Sequence, residues 1–265
     1  MMIKVNGVKI NPERYRDNTY KLNINIYIND LYYIDIEWLY EQNEEFLLYL
    51  IVNHIKDKYP NIALDLYMPY VPNARMDRTK YPHEVFTLKY FAKFINDLKF
   101  NFVYIKDVHS NISLALLNNV VEDDITYIIN HLKKMLLTNN NDLIVYPDEG
   151  ASKRYAEYIN FPYIYCIKNK DWITGQIKEI TLSNTSSNPA SFNALIVDDI
   201  ISTGSTTLLV IEKLKQVGAN KIWIYATHVE NSILDSELLR SGLIERIYTT
   251  RSIFTKEHNL IEIIE

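Results

Sequence analysis

The chain has 265 residues, of which 48% are hydrophobic and 23% charged, enough apolar material for one large core or two modest ones and no compositional sign of disorder. A net charge of −5 without any basic block argues against nucleic-acid binding as the main activity. The longest apolar runs fall far short of the roughly 20 residues that span a bilayer, and the opening Met1-Met2-Ile3-Lys4 lacks a signal peptide's apolar centre, so a cytoplasmic protein with no membrane partner is expected. The single cysteine, Cys166, excludes an internal disulfide, and its place in an apolar run predicts a buried, inert thiol.

In chain order, the pattern predicts a helix over 44–58, a strand over 62–68 and a loop opening at Pro69. A second round gives a helix over 84–98, a strand from Phe102 to Ile105, and the polar strand end Asp107-Val108-His109-Ser110. A third gives a helix near 123–137, the strand Leu143 to Tyr146, and Pro147-Asp148-Glu149-Gly150 before another helix. Residues 183–193 are the most linker-like, and a final strand is expected from Leu260 to Ile264. This alternation predicts an α/β fold of mostly parallel sheets flanked by helices, with functional groups at the strand carboxyl ends. The domain boundary is expected near residues 120–125, giving 1–122 and 123–265.

The most informative stretch is Ala194 to Thr207, where the apolar run Ala194–Val197 meets Asp198, Asp199 and the turn Ser202-Thr203-Gly204-Ser205-Thr206, followed by a helix ending at Gly218. Backbone N–H groups at such a helix start have no intrahelical partners and favour an anion. Two carboxylates at a strand's carboxyl end are acceptors for vicinal sugar hydroxyls. An N-capped helix with solvated aspartates is the plain alternative. Four further loops are polar. Pro69 to Arg78 sets Arg75 and Arg78 around Asp77, guanidinium chemistry suited to purine stacking or to polyphosphate, or to a surface ion-pair cluster. His109, Asp148 with Gly150, and Lys168-Asn169-Lys170-Asp171-Trp172 complete the set.

The Asp198–Thr206 segment resembles the phosphoribosyl-pyrophosphate-binding loop shared by type I phosphoribosyltransferases and ribose-phosphate diphosphokinases. Arg75-Met76-Asp77-Arg78 resembles the ATP-binding loop of the diphosphokinases, with Met76 where glutamine is usual, and Asp107-Val108-His109-Ser110 and Pro147 to Arg154 resemble two more of their elements. Lys168 to Ile180 is similar to the family's catalytic loop, with Lys170 matching its lysine and Trp172 standing where an arginine is expected. Ser202 replaces an acidic residue of many longer members.

The diphosphokinase resemblance implies two tandem phosphoribosyltransferase-like domains, the first with the ATP loop and the second with the sugar-phosphate loop. It implies transfer of the β,γ-diphosphate of Mg-ATP to ribose 5-phosphate, with self-association into a dimer or larger assembly. Lys170, Arg75 and Asp199 would be catalytic; Arg75, Met76, Asp77, Arg78 and His109 would bind ATP. Asp198, Asp199, Ser202, Thr203, Gly204, Ser205 and Thr206 would bind the sugar phosphate, and His109 and Asp148 would serve Mg2+. Three rivals remain open: the same transfer onto ADP-ribose for NAD rebuilding, a true phosphoribosyltransferase, and a catalytically silent regulatory subunit. The nucleotide-type loop at Arg75–Arg78 with His109 favours a diphosphokinase over a phosphoribosyltransferase, which needs no ATP site.

Overall fold

A computed structural model describes residues 3–24, 33–170, 177–183 and 191–265. They form two compact units, Met1–Asp123 and Asp124–Glu265, each with its own sheet.

In the first unit the strands are β1 (Ile3–Val5), β2 (Val8–Lys9), β3 (Glu13–Arg14), β4 (Tyr20–Lys21), β5 (Tyr33–Trp38), β6 (Ala63–Tyr67), β7 (Phe102–Lys106) and β8 (Val120–Asp123). The six-stranded order is β2-β1-β5-β6-β7-β8, parallel from β5 to β8, and β3 and β4 make a separate hairpin. Three helices, α1 (Glu45–Lys58), α2 (Thr87–Asp97) and α3 (Asn111–Leu116), supply the crossovers. α1 forms where apolar side chains recur at helical spacing, and it buries Leu47, Leu48, Ile51, Val52 and Ile55. α2 starts three residues after the expected position 84. The Glu84 carboxylate instead accepts from the backbone N–H groups of Lys80 (2.5 Å) and Tyr81 (3.2 Å), closing a turn that holds the chain out of the helix.

In the second unit follow α4 (Thr126–Leu136), β9 (Leu143–Tyr146), α5 (Glu149–Ile159), β10 (Tyr163–Lys170), β11 (Ile177–Leu182), β12 (Phe192–Ile201), α6 (Ser205–Gln216), β13 (Ala219–Val229), a 3₁₀ turn (Asn231–Asp235), α7 (Glu237–Arg240), β14 (Arg246–Thr249) and β15 (Ile261–Ile263). The sheet order is β11-β10-β9-β12-β13-β14-β15, parallel except for β11. Ala194–Val197 of β12 and Ile222–Ala226 of β13 are largely buried on both faces, which is why these stretches are continuous apolar runs without alternation. One face packs Ile196, Ile222 and Ile224 with Val210, Ile211 and Leu214 of α6. The other packs Leu195, Val197 and Tyr225 with Ile128, Ile129 and Leu132 of α4 and Tyr155 of α5. β12 continues past the expected Val197 to Ile201, so Asp198 and Asp199 are strand residues. Cys166 is buried, and burial pushes its thiol up to about 12.

A lysine near the end of one helix serves the end of the next in both units. Lys56 of α1 donates to the carbonyls of Leu98 (2.5 Å) and Lys99 (3.1 Å) after α2, and Lys133 of α4 donates to that of Ile159 (2.9 Å) at the end of α5. Each satisfies terminal carbonyls at the negative pole of the helix. Among the described residues, no helix is long and apolar enough to cross a membrane.

Candidate functional site

In the second unit, the carboxyl edge of the parallel sheet gathers the candidate groups. Asp198 and Asp199 occupy successive strand positions and so leave the sheet on opposite faces; Asp199 is buried, Asp198 half-buried. The Asp199 N–H donates to Asp198 Oδ1 at 3.0 Å. β9 pairs with β12, and the chain leaving β9 brings Asp148 into the neighbourhood. Asp148 is the N-cap of α5: its Oδ1 accepts from the Ala151 N–H at 3.0 Å, while Oδ2 accepts from Lys168 Nζ at 3.0 Å. Gly150 keeps this carboxylate clear, since a Cβ there would stand 3.2 Å from Asp148 Oδ1.

The carboxylates act on one another. Removal from water, then the charges of Asp199 and Asp148, hold the Asp198 carboxyl well above the usual carboxylate range. Asp148 goes the other way: burial pushes it up, but the Ala151 N–H and the Lys168 ammonium outweigh that and the charge of Asp199. Among the described residues, Lys168 is thus a cation placed within the acidic group. Lys170 closes β10 and pairs in register with Ile177, and Trp172 lies outside the described residues, as does most of the linker-like stretch 183–193.

The loop from β12 to α6 turns at Gly204, whose φ of +71° is left-handed. A Cβ at Gly204 would lie 2.7 Å from Leu238 Cδ2 and 3.1 Å from Ile233 Cδ1, so only glycine fits. Gly204 is the N-cap of α6 and brings no side-chain cap, leaving the first-turn N–H groups to an incoming acceptor. Thr203 and Ser205 are exposed and Thr206 half-buried. Ser202 differs: its hydroxyl donates to Glu230 Oε2 at 2.6 Å.

In the first unit, Asn73 at φ +64° and the bond from the Met76 N–H to the Asn73 carbonyl shape the loop after β6. Arg78 grips Asp77 with two bonds, 2.9 and 3.0 Å. Hydrogen bonding from Arg78 first, then from Ser110, with the charges of Arg78 and His109, holds the Asp77 carboxyl below its usual range against a smaller desolvation effect. Asp77 thus joins the Arg75–Arg78 loop to the His109–Ser110 strand end. The latter is shaped by Asp107 at φ +40° and by Glu122, whose Oε1 accepts from the Val108 N–H at 2.9 Å. Arg75, Met76, Arg78 and His109 are exposed.

A family model described as the phosphoribosyl transferase domain matches residues 119–235. The chain is 25% identical over 207 residues to a ribose-phosphate pyrophosphokinase of Aeropyrum pernix, covering 76% of this chain and 65% of that one. It is 29% identical over 189 residues to that of Pyrococcus abyssi, covering 69% and 61%, so it spans a little under two thirds of these relatives' length. With that of Sulfurisphaera tokodaii the identity is 25% over 266 residues, covering 95% of this chain and 87% of the relative. The fold is shared with phosphoribosylpyrophosphate synthetase from Mycobacterium smegmatis, at a TM-score of 0.76 and 12% identity, covering 97% of this chain and 85% of that one. The chain is thus similar in sequence to ribose-phosphate pyrophosphokinases and contains a match to the phosphoribosyl transferase domain. Sequence reading missed Glu230 altogether and named Lys168 only as part of the stretch similar to the catalytic loop. Glu230 carries no local signal, because its partner lies 28 residues away.

Proposed function

We propose that this protein is a ribose-phosphate diphosphokinase that transfers the β,γ-diphosphate of Mg-ATP to the anomeric hydroxyl of ribose 5-phosphate. The observation that carries this reading is the coexistence of two kinds of site. The second unit has a glycine-turned helix start beside paired aspartates. The first has a linked Asp77–Arg78–Ser110 cluster with His109 beside it. A phosphoribosyltransferase needs only the former.

In this mechanism the anomeric oxygen forms a bond to the β-phosphorus, and the bond from that phosphorus to the oxygen bridging it to the α-phosphorus breaks. AMP departs with the bridging oxygen, and the hydroxyl proton is released. The protein's task is to align these atoms and to neutralise charge on the phosphoryl oxygens. Asp198 and Asp199 hold the 2- and 3-hydroxyls. The N–H groups at the start of α6, with Thr203, Ser205 and Thr206, hold the 5-phosphate. Arg75, Met76, Arg78 and His109 receive the nucleotide, with Asp77 fixing the loop. Lys168 and Lys170 supply positive charge at the end of β10.

The donor set suits magnesium carried on substrate phosphates. Asp148 offers the oxygen donors magnesium prefers, and magnesium characteristically takes one or two carboxylates plus phosphate oxygens and water. Asp148 would hold it at the diphosphate and His109 would hold the magnesium-nucleotide. Bound there, it would draw charge from the phosphoryl oxygens.

Parallel reactions of Mg-ATP with ribose 5-phosphate or ADP-ribose, analysed by chromatography with mass detection, test the reading. AMP and a ribose 1-diphosphate 5-phosphate are expected from the first. Selective conversion of ADP-ribose would transfer the same chemistry to that acceptor, and AMP from neither would leave a silent subunit.

A further inference from the structure

The cradle loop is buttressed by one neighbouring segment, residues 230–238, through a polar contact and an apolar one. At the polar end Glu230 Oε2 accepts from Ser202 Oγ at 2.6 Å and from Ser232 Oγ at 3.3 Å, the two hydroxyls being 3.2 Å apart. The Glu230 N–H also donates to the Ile201 carbonyl at 2.8 Å, so backbone and side chain both clasp the end of β12. At the apolar end Ile233 and Leu238 press on Gly204.

A serine hydroxyl has one proton. Given to a carboxylate at 2.6 Å, within the range of a charge-assisted O–H···O⁻ bond, it is withheld from a phosphate. The Ser202 side chain is a strut, and the anion is left to the backbone N–H groups and to Thr203, Ser205 and Thr206. A carboxylate beside an anion site is electrostatically adverse, so its benefit lies in geometry. We propose that Glu230 is a positioning residue for the sugar-phosphate site, acting through Ser202 to hold the loop so that the N–H groups at the start of α6 converge on the 5-phosphate. This rests on the sugar-phosphate reading of residues 198–206.

Geometry and charge separate experimentally, because Glu230→Gln removes the charge but keeps an acceptor oxygen for Ser202. Glu230→Ala is expected to raise KM for ribose 5-phosphate about tenfold, the equivalent of one lost hydrogen bond to a charged group, with KM for ATP unchanged. Glu230→Gln loses at most about threefold, as expected where an acceptor survives. Ser202→Ala raises that KM no more than Glu230→Ala, which also removes the Ser232 bond, and the double variant is no worse than Glu230→Ala, in which the Ser202 contact is already lost. Protection of the whole protein against thermal unfolding by ribose 5-phosphate alone follows the same rank order. A wild-type KM in Glu230→Ala, an equal rise for both substrates, or multiplying effects in the double variant would overturn the assignment. Should Glu230→Ala not fold, Ser202→Ala and Glu230→Gln carry the test. If the wild type releases no AMP yet the rank order of protection holds, the activity reading fails and Glu230's role stands. If the wild type releases AMP and the variants match it in both assays, the activity stands and Glu230's role fails.

Discussion

Asp198 carries an electrostatic burden that a bound sugar would share. Its carboxyl is lifted well above the usual range by desolvation, Asp199 and Asp148. A carboxyl whose folded value is raised contributes stability that is fully present below its unfolded value, about 3.9, and is lost as pH rises through the folded value. At neutral pH the ligand-free protein therefore bears a cost that Asp198→Asn removes. The expected result is an unfolding midpoint higher by about 2–4 °C at pH 7.5, what ~1 kcal/mol is worth in a protein of this size. The difference shrinks as pH falls toward 4, while stabilisation by ribose 5-phosphate disappears in the variant. Thermal unfolding across pH, with and without the sugar, checks both parts. Lys168 plays the opposite part, its ammonium keeping Asp148 ionised. Neither relationship can be read from sequence, because three separate strand ends supply the groups.

At the scale of elements, buried polar staples hold the strands that carry the site. Asp142, just before β9, accepts from the N–H groups of Asn139 and Asn193 at 2.9 Å each and from both amide side chains at 3.4 Å. It thereby ties the entry of β9 to the beginning of β12. Desolvation raises its carboxyl, but these four donors outweigh it and hold the value below the ordinary range. Asp142→Ala removes all four bonds, but Asn139 is exposed and Asn193 half-buried, so water takes up part of the loss and a total of about 2–4 kcal/mol is expected. Denaturant unfolding with an unchanged m-value would measure it; a loss under ~0.5 kcal/mol would mean that water or relaxation replaces the staple. Sequence patterning reached α1, β6, β7 and β9 because each is set by local periodicity. It placed the start of α2 too early because Glu84 looks like a helix-start acid but closes a turn. It had no means of finding β8, β11 or the N-terminal strands, whose short runs gain their identity only from the neighbours they pair with.

Over the whole molecule, the two units repeat one scheme: a helix whose late lysine serves the next helix, a strand, and a polar loop at its carboxyl end. The loops were legible in the sequence because glycine, proline and clustered Asp, Arg and hydroxyl residues interrupt apolar runs at strand ends. Their internal bonding was not, as Ser202 shows: its residue type suits a phosphate, while its hydroxyl proton is committed to Glu230. The most direct test of the proposed chemistry follows the diphosphate itself, by phosphorus-31 resonance of Mg-ATP labelled with oxygen-18 at the α–β bridge and mixed with ribose 5-phosphate. The label is expected in AMP, with the β- and γ-phosphorus atoms leaving together on the sugar. Appearance of ADP with a singly transferred phosphoryl group, or retention of the label in the sugar product, would contradict attack at the β-phosphorus.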